Sequence, residues 1–356
     1  MSAAVSVREV PEAQYGQWSR LVAQSPSGSP YSTPEYLDAL CSAAGGSFVI
    51  LGAWRGEELV GGVGLYQRDS RWGRFVWPRL LLYYNGPVVR QFDTKYPSQR
   101  TSRTVDALGA LADAVMTRGY GSVRFKCRAP LDDLRPFSSR GWSVRAGYTY
   151  EVPLGDLPAQ WGRVEQNLRR LVERARQQGL QFVRDEDFAA FYQLHEQTLG
   201  RRGMAGYLPR AAFGRWFERL SALGLCRLYH ARMPDGRPAA SQLVLAGAHP
   251  MTHTVSAAAD PALQNTGANP FLRWSAFEAL AADGFTGNDL TDASLNPVTH
   301  FKAQLGGNLC LTLLARYDPS LRWKAGQSID AGYRAARRMA AGLYHRLVRR
   351  ERSADG

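Results

Sequence analysis

The chain has 356 residues, 45% hydrophobic and 21% charged, an ordinary globular composition that argues against a disordered or membrane-embedded class. Its length favours two domains of roughly 150 to 180 residues. The formal charge of +13 is carried almost wholly by arginine, because the lysines are Lys95, Lys126, Lys302 and Lys324. Such an excess attracts polyanions, which include RNA, phosphorylated carriers and an acidic membrane surface, and charge does not choose among them.

Taken in order, Val5 to Val10 alternates as a short strand, and a helix from Pro11 to Gln24 stops at a Ser/Pro/Gly run. Thr33 is placed to cap a second helix whose first residue is Pro34 and whose end is Gly45-Gly46. Phe48 to Trp54 and Leu59 to Tyr66, joined by Arg55-Gly56-Glu57-Glu58, read as a hairpin. Ser102 to Arg118 reads as a helix, and Ser122 to Cys127 and Trp142 to Val152 as strands. Between Leu157 and Leu223 the pattern is mostly helical, with Val164, Leu168, Leu171, Val172 and Ala175 on one face and arginines around them.

The second part repeats the plan of the first. Leu225 to Arg232 and Ala239 to Gly247 form a hairpin, and a helix then ends at Gly284 as the earlier one ends at Gly119. Gly119 and Gly141 are 22 positions apart, as are Gly284 and Gly306, so two copies of one α/β unit are expected. Ser328 to Arg350 is a basic amphipathic helix, fit either to dock on the fold or to lie on an anionic membrane face.

Thr252 to Gly307 carries the densest chemistry. An apolar strand runs into a turn, Gln264-Asn265-Thr266-Gly267-Ala268-Asn269, ahead of a helix whose N-terminal amides are suited to an anion. Phe301-Lys302 then places a lone cation just before Gly306-Gly307, at a position where the first copy has Phe137. Asp289 and Asp292, three apart on an expected strand, should face opposite ways and so form no carboxylate pair. His253 and His300 flank these groups without further ligands, so no metal site is expected. Cys41, Cys127, Cys226 and Cys310 show neither zinc nor disulfide spacing. With no signal-like start and no apolar run near 20 residues, the expected location is the cytoplasm, with contact at the inner membrane face as the alternative.

Asn167-Leu168-Arg169-Arg170, Thr198 with Arg201-Arg202-Gly203, Asn269-Pro270 with Trp274, Asp289-Leu290 and Phe301-Lys302 before Gly306-Gly307 resemble, in this order, the GNAT acyltransferase superfamily. The likeness is greatest to its Fem-type and CelD-type branch, in which two such folds sit in tandem, and it runs from about Gln160 to Arg316. It implies an α/β protein with two tandem GNAT-like domains, each a mixed, splayed sheet flanked by helices: residues 1–156, degenerate, and 157–327, equipped for transfer, followed by the helix and tail of 328–356.

The resemblance also implies an acyl donor between the strands that flank the helix after the turn, with a diphosphate on the turn Gln264, Asn265, Gly267, Ala268 and Asn269. Asn269 departs from the small residue that acyl-CoA members carry there. Lys302, Asp289 and His253 are the catalytic candidates, and Arg202, Arg169 and Phe301 the substrate-binding ones. Two donors fit the pattern: acyl-CoA, with an amine of a small molecule or of a cell-envelope or exopolysaccharide precursor as acceptor, and aminoacyl-tRNA, with a peptidoglycan precursor as acceptor. A binding protein that kept the fold and lost the chemistry is a third reading.

Overall fold

The computed structural model describes residues 4–79, 81–201, 203 and 206–330. The first half runs β1 (Val5–Glu9), α1 (Tyr15–Gln24), α2 (Pro34–Ala44), β2 (Ser47–Arg55), β3 (Glu58–Ser70), β4 (Gly73–Val76), β5 (Val88–Val89), α3 (Pro97–Met116), β6 (Ser122–Lys126), α4 (Arg135–Ser138) and β7 (Ser143–Pro153). Helices α5 (Leu157–Arg163) and α6 (Gln166–Gln177) lead to β8 (Gln181–Arg184), α7 (Phe188–Arg201) and α8 (Arg210–Ala222). Then follow β9 (Cys226–Arg232), β10 (Pro238–Leu245), β11 (Met251–Ala259), α9 (Ala268–Ala282), β12 (Gly287–Asp289), α10 (Pro297–Gln304) and β13 (Asn308–Tyr317). Residues 321–330 are helical, and most of the basic amphipathic helix expected from Ser328 lies outside the described residues.

Local chemistry explains the boundaries. Thr33 caps α2 by accepting the Tyr36 amide, Pro34 takes the first helical position, and Gly45 ends the helix at φ 71°. Helix α3 begins at Pro97, five residues before the expected Ser102, because proline suits a first turn. Asn296 caps α10 by accepting the amides of Val298 and Thr299. The paired glycines all adopt left-handed backbone, with φ of 69° and 82° at Gly119 and Gly141 and of 87° and 78° at Gly284 and Gly306. The recurrent spacing is therefore a recurrent pair of helix stops.

The strands form one open mixed sheet in the order β1-β2-β3-β4-β6-β13-β7-β12-β11-β10-β9-β8, with β5 added beside β3. Each half gives its last strand to the other. β7 lies antiparallel to β12, with Glu151 opposite Asp289, while β13 lies antiparallel to both β6 and β7. The cores merge as well: Tyr31, Tyr36 and Leu37 of the first half pack with Phe191, Phe213 and Trp216 of the second.

β11 and β12 are parallel neighbours only from Met251/Gly287 to His253/Asp289. Beyond that pair the chain after β12 follows β7, with the amides of Leu290 and Ala293 bonded to the carbonyls of Tyr150 and Tyr148, whereas β11 continues beside β10. The sheet therefore divides at His253 and Asp289.

Because β7 and β13 are exchanged, the full chain is expected to unfold in one cooperative thermal transition. Residues 1–156 and 157–356 produced separately are expected to show none. A cooperative melt of either half alone, followed by circular dichroism, would contradict the exchanged pairing.

Candidate active site

Asp289 stands at the point of division, fully buried. Its Oδ2 accepts the Tyr84 hydroxyl at 2.7 Å, and its Oδ1 accepts Thr149 Oγ1 at 2.5 Å and the Thr291 amide at 2.7 Å. These donors come from the segment between β4 and β5, from β7 and from the turn after β12. Burial alone would raise the carboxyl pKa, but His253 and the two hydroxyls outweigh it and hold the group below the usual carboxylate range.

His253 Nδ1 lies 3.5 Å from Asp289 Oδ2, a close electrostatic approach too long for a good hydrogen bond. Burial depresses the imidazole pKa and favours the neutral ring. The rings of Tyr31 and Tyr84 lie beside it, with centroids at 5.2 and 5.6 Å, and Nε2 has no partner among the described residues.

At the rim, Thr291 and Asp292 adopt φ of 48° and 65°. For a β-branched threonine this is strained, and such strain persists only where neighbours fix it. Asp289 holds the Thr291 amide, and Thr291 Oγ1 donates to the Thr254 carbonyl of β11 at 2.7 Å, bridging the opening. The bend turns two carbonyls onto one cation: Lys302 Nζ donates to Asp292 O at 2.7 Å and to Thr291 O. Burial, and next the charge of Arg273, push the Lys302 pKa down to about 8. Lys126 Nζ lies 3.9 Å from Asp292 Oδ1 and above the rings of Tyr83 and Tyr84, and burial lowers its pKa. Arg128 donates to Glu151 at 3.3 Å and to the carbonyls of Pro26 and Gly28 at 2.9 and 2.8 Å, all in the first half, and lies 3.4 Å from His249 Nε2 of the second.

Lys302, Asp289 and His253 are thus gathered from three elements. The expected opposition of Asp289 and Asp292 along one strand does not hold, because β12 ends at Asp289 and the chain turns before Asp292. Asp289 is sealed beneath and Asp292 is half-buried at the rim. Phe301 packs against the second-half core, and His300 is exposed on α10. Arg169 is half-buried on α6, with its Nε unpartnered. Arg202 lies outside the described residues.

The turn through Gln264 and Asn265 is a 3₁₀ helix, Pro261–Thr266, closed by Gly267 at φ 77°. A side chain at Gly267 would meet the Leu171 carbonyl of α6 at 2.4 Å, so the turn is pressed against that helix. The amides of Gly267, Ala268 and Phe271 donate to Gln264 O, Thr266 Oγ1 and Gly267 O, and Pro270 has none. That leaves the Asn269 amide, whereas a diphosphate cradle needs several converging donors. The turn by itself does not fit a diphosphate.

Sequence reasoning missed Tyr84, Thr149, Lys126 and Arg273. Lys126 had one signal, its rarity as one of four lysines. Among the described residues no group of three or more His, Cys, Asp or Glu side chains is arranged to hold a metal ion, and no helix is long and apolar enough to cross a membrane.

Residues 162–302 match the family model described as an acetyltransferase (GNAT) domain. The solved structure of FemX superposes with a TM-score of 0.69 at 13% identity, covering 86% of this chain and 96% of that one. A tandem GNAT protein from the clavulanic acid biosynthesis pathway gives 0.51 at 13% identity, covering 89% and 99%. L-PGS from Bacillus licheniformis gives 0.50 at 13% identity, covering 80% and 91%. Comparison with curated proteins gave no match. The chain has a GNAT-superfamily fold related to FemX and to tandem GNAT proteins, and the domain match with this fold supports acyl or aminoacyl transfer in general.

Replacing Asp289 by alanine strands buried donors on Tyr84, Thr149 and Thr291, and is expected to cost about 3 kcal/mol or more at pH 7. The folded carboxyl pKa lies below its unfolded value, so its stabilisation is present above about pH 4 and is lost as pH falls toward the folded pKa. The gap in melting temperature between wild type and Asp289→Ala should therefore hold steady from pH 7 to about pH 4 and narrow as pH falls below that. A gap independent of pH counts against an ionised Asp289.

Proposed function

We propose that this protein is an N-acyltransferase that moves an acyl group from an activated thioester or ester onto an amine at the division between β11 and β12. The observation that carries this reading is Lys302, held by the carbonyls of Thr291 and Asp292 at the mouth of the division, near Asp289 and His253. The amine lone pair attacks the donor carbonyl carbon, a C–N bond forms, and negative charge gathers on the carbonyl oxygen. Two Lys302 N–H groups are spent on carbonyls, which leaves the third for that oxyanion.

His253 accepts the amine proton at Nε2, and Asp289 stabilises the imidazolium so formed. Asp289 is a positioning residue: its pKa is too low for a base at neutral pH, and its oxygens are already bonded. The C–S or C–O bond then breaks, and the proton passes to the leaving group.

Acyl-CoA is the first donor we consider, with an amine of a cell-envelope or exopolysaccharide precursor as acceptor; the charge of +13 supports an anionic one. A second reading, an aminoacyl ester on tRNA, is favoured by the turn whose amides are already used.

Lys302→Ala is expected to lower kcat/KM by about 10²- to 10³-fold. The assay is thiol release from acetyl-CoA with a panel of amines, or deacylation of aminoacyl-tRNA, alongside a melting curve to show that the fold is kept. Unchanged turnover would remove Lys302 from the mechanism. Because the oxyanion needs the ammonium form, kcat/KM should fall as pH rises through about 8, and Lys302→Arg should abolish that descending limb.

A further inference from the structure

Helix α9 carries a charge into the core that nothing there neutralises. Arg273, on its second turn, is 6% exposed, and the residues from Pro270 to Phe277 around it are buried. Its Nε and Nη1 have no hydrogen-bond partner, and it forms no ion pair among the described residues. Arg128, equally buried, shows the contrast: its Nε is also unpartnered, but its Nη1 and Nη2 donate to two carbonyls and to Glu151. Burial pushes the Arg273 pKa down to about 10, so the group is still charged at neutral pH. An unpaired ion away from water is strongly unfavourable, and removing it usually costs a protein little.

The location gives the charge a use. Arg273 lies close enough to Lys302 to be, after burial, the main cause of its lowered pKa, and Lys126 acts on Lys302 from the other half. Three cations thus gather at the division, opposed by Asp289, whose oxygens are occupied, and Asp292, which lies beside Lys126. The planar fork of Arg273 next to a point charge suits phosphate oxygens.

We propose that Arg273 binds a phosphate group of the acyl donor within the division of the sheet, the role the turn at Gln264 to Asn269 does not fill. The proposal rests on the acyl-transfer reading, and both donors considered carry phosphates, as a diphosphate or as the diester of an RNA 3′ end.

The test is a thermal-shift comparison of wild type, Arg273→Met and Arg273→Lys with inorganic pyrophosphate, coenzyme A and a cytidine-cytidine-adenosine trinucleotide. At tenfold excess over its dissociation constant, pyrophosphate should raise the wild-type melting temperature by about 2 °C. Ligand-free Arg273→Met should melt no lower than wild type and show no shift, and Arg273→Lys should keep part of it. No shift in wild type, or equal shifts in wild type and Arg273→Met, overturns the proposal; so does an Arg273→Met that melts far lower or fails to fold, because the charge is then structural. Coenzyme A stabilising more than pyrophosphate identifies the diphosphate source, and the trinucleotide doing so identifies RNA. A pyrophosphate shift that depends on Arg273, with neither larger ligand effective, keeps the phosphate site and removes the donor reading. Turnover that depends on Lys302 but with no pyrophosphate shift leaves acyl transfer standing and removes this proposal alone.

Discussion

Strand β7 brings the first half of the chain into the middle of the second half's sheet, and the candidate site depends on that register. Thr149 and Glu151, on β7, sit two residues apart and so on the same face, one bonded to Asp289 and the other opposite it across the ladder. A slip of one residue would turn Thr149 away from the carboxylate and bring Tyr148 or Tyr150 to its place. The long β7–β13 pairing, from Asn308/Glu151 to Arg316/Ser143, fixes the register from the other side. The site is thus held by both halves at once, and neither copy of the repeated unit contains it whole.

The charges divide into a closed layer and an open one. In the closed layer, Asp289 meets donors from three segments and is stabilised as an anion despite complete burial. In the open layer the partly buried Lys302 and Lys126 are weakened without equal compensation, and so is the Arg273 guanidinium, which lies in the core. The strained bend at Thr291 and Asp292 joins the layers, because the Thr291 amide faces the carboxylate and its carbonyl faces Lys302. The backbone strain is local, and the contacts on both sides of it keep it in place.

Much of this was legible in the sequence where the signals were local. The Thr33-Pro34 start of α2, both hairpins and the glycine spacing follow from short-range rules and are seen as expected. Lys302, Asp289 and His253 could be singled out because the first copy lacks the lysine and because all three lie within one strand–helix–strand–helix run. The remainder was hidden for physical reasons. Tyr84, Thr149 and Lys126 meet the site across more than a hundred residues of chain, and no periodicity reports such contacts. Strand alternation misled at Asp292 because two consecutive residues other than glycine take left-handed backbone. The turn at Gln264 to Asn269 keeps a recognisable composition, but its amides are used internally, which composition does not reveal.

The exchanged strands also set an order of events for a chain emerging from a ribosome. β6 and β7 close in sequence are not neighbours in the sheet; β13 stands between them, and its last residue is Tyr317. Until β13 has been made, β6 and β7 each present an unpaired edge, and the nascent first half is open to pairing with other chains. Completion waits on contacts of long sequence separation, which are slow to form. The insertion of β13 is thus the closing step of assembly, and truncation before it leaves two sticky edges rather than a smaller working protein.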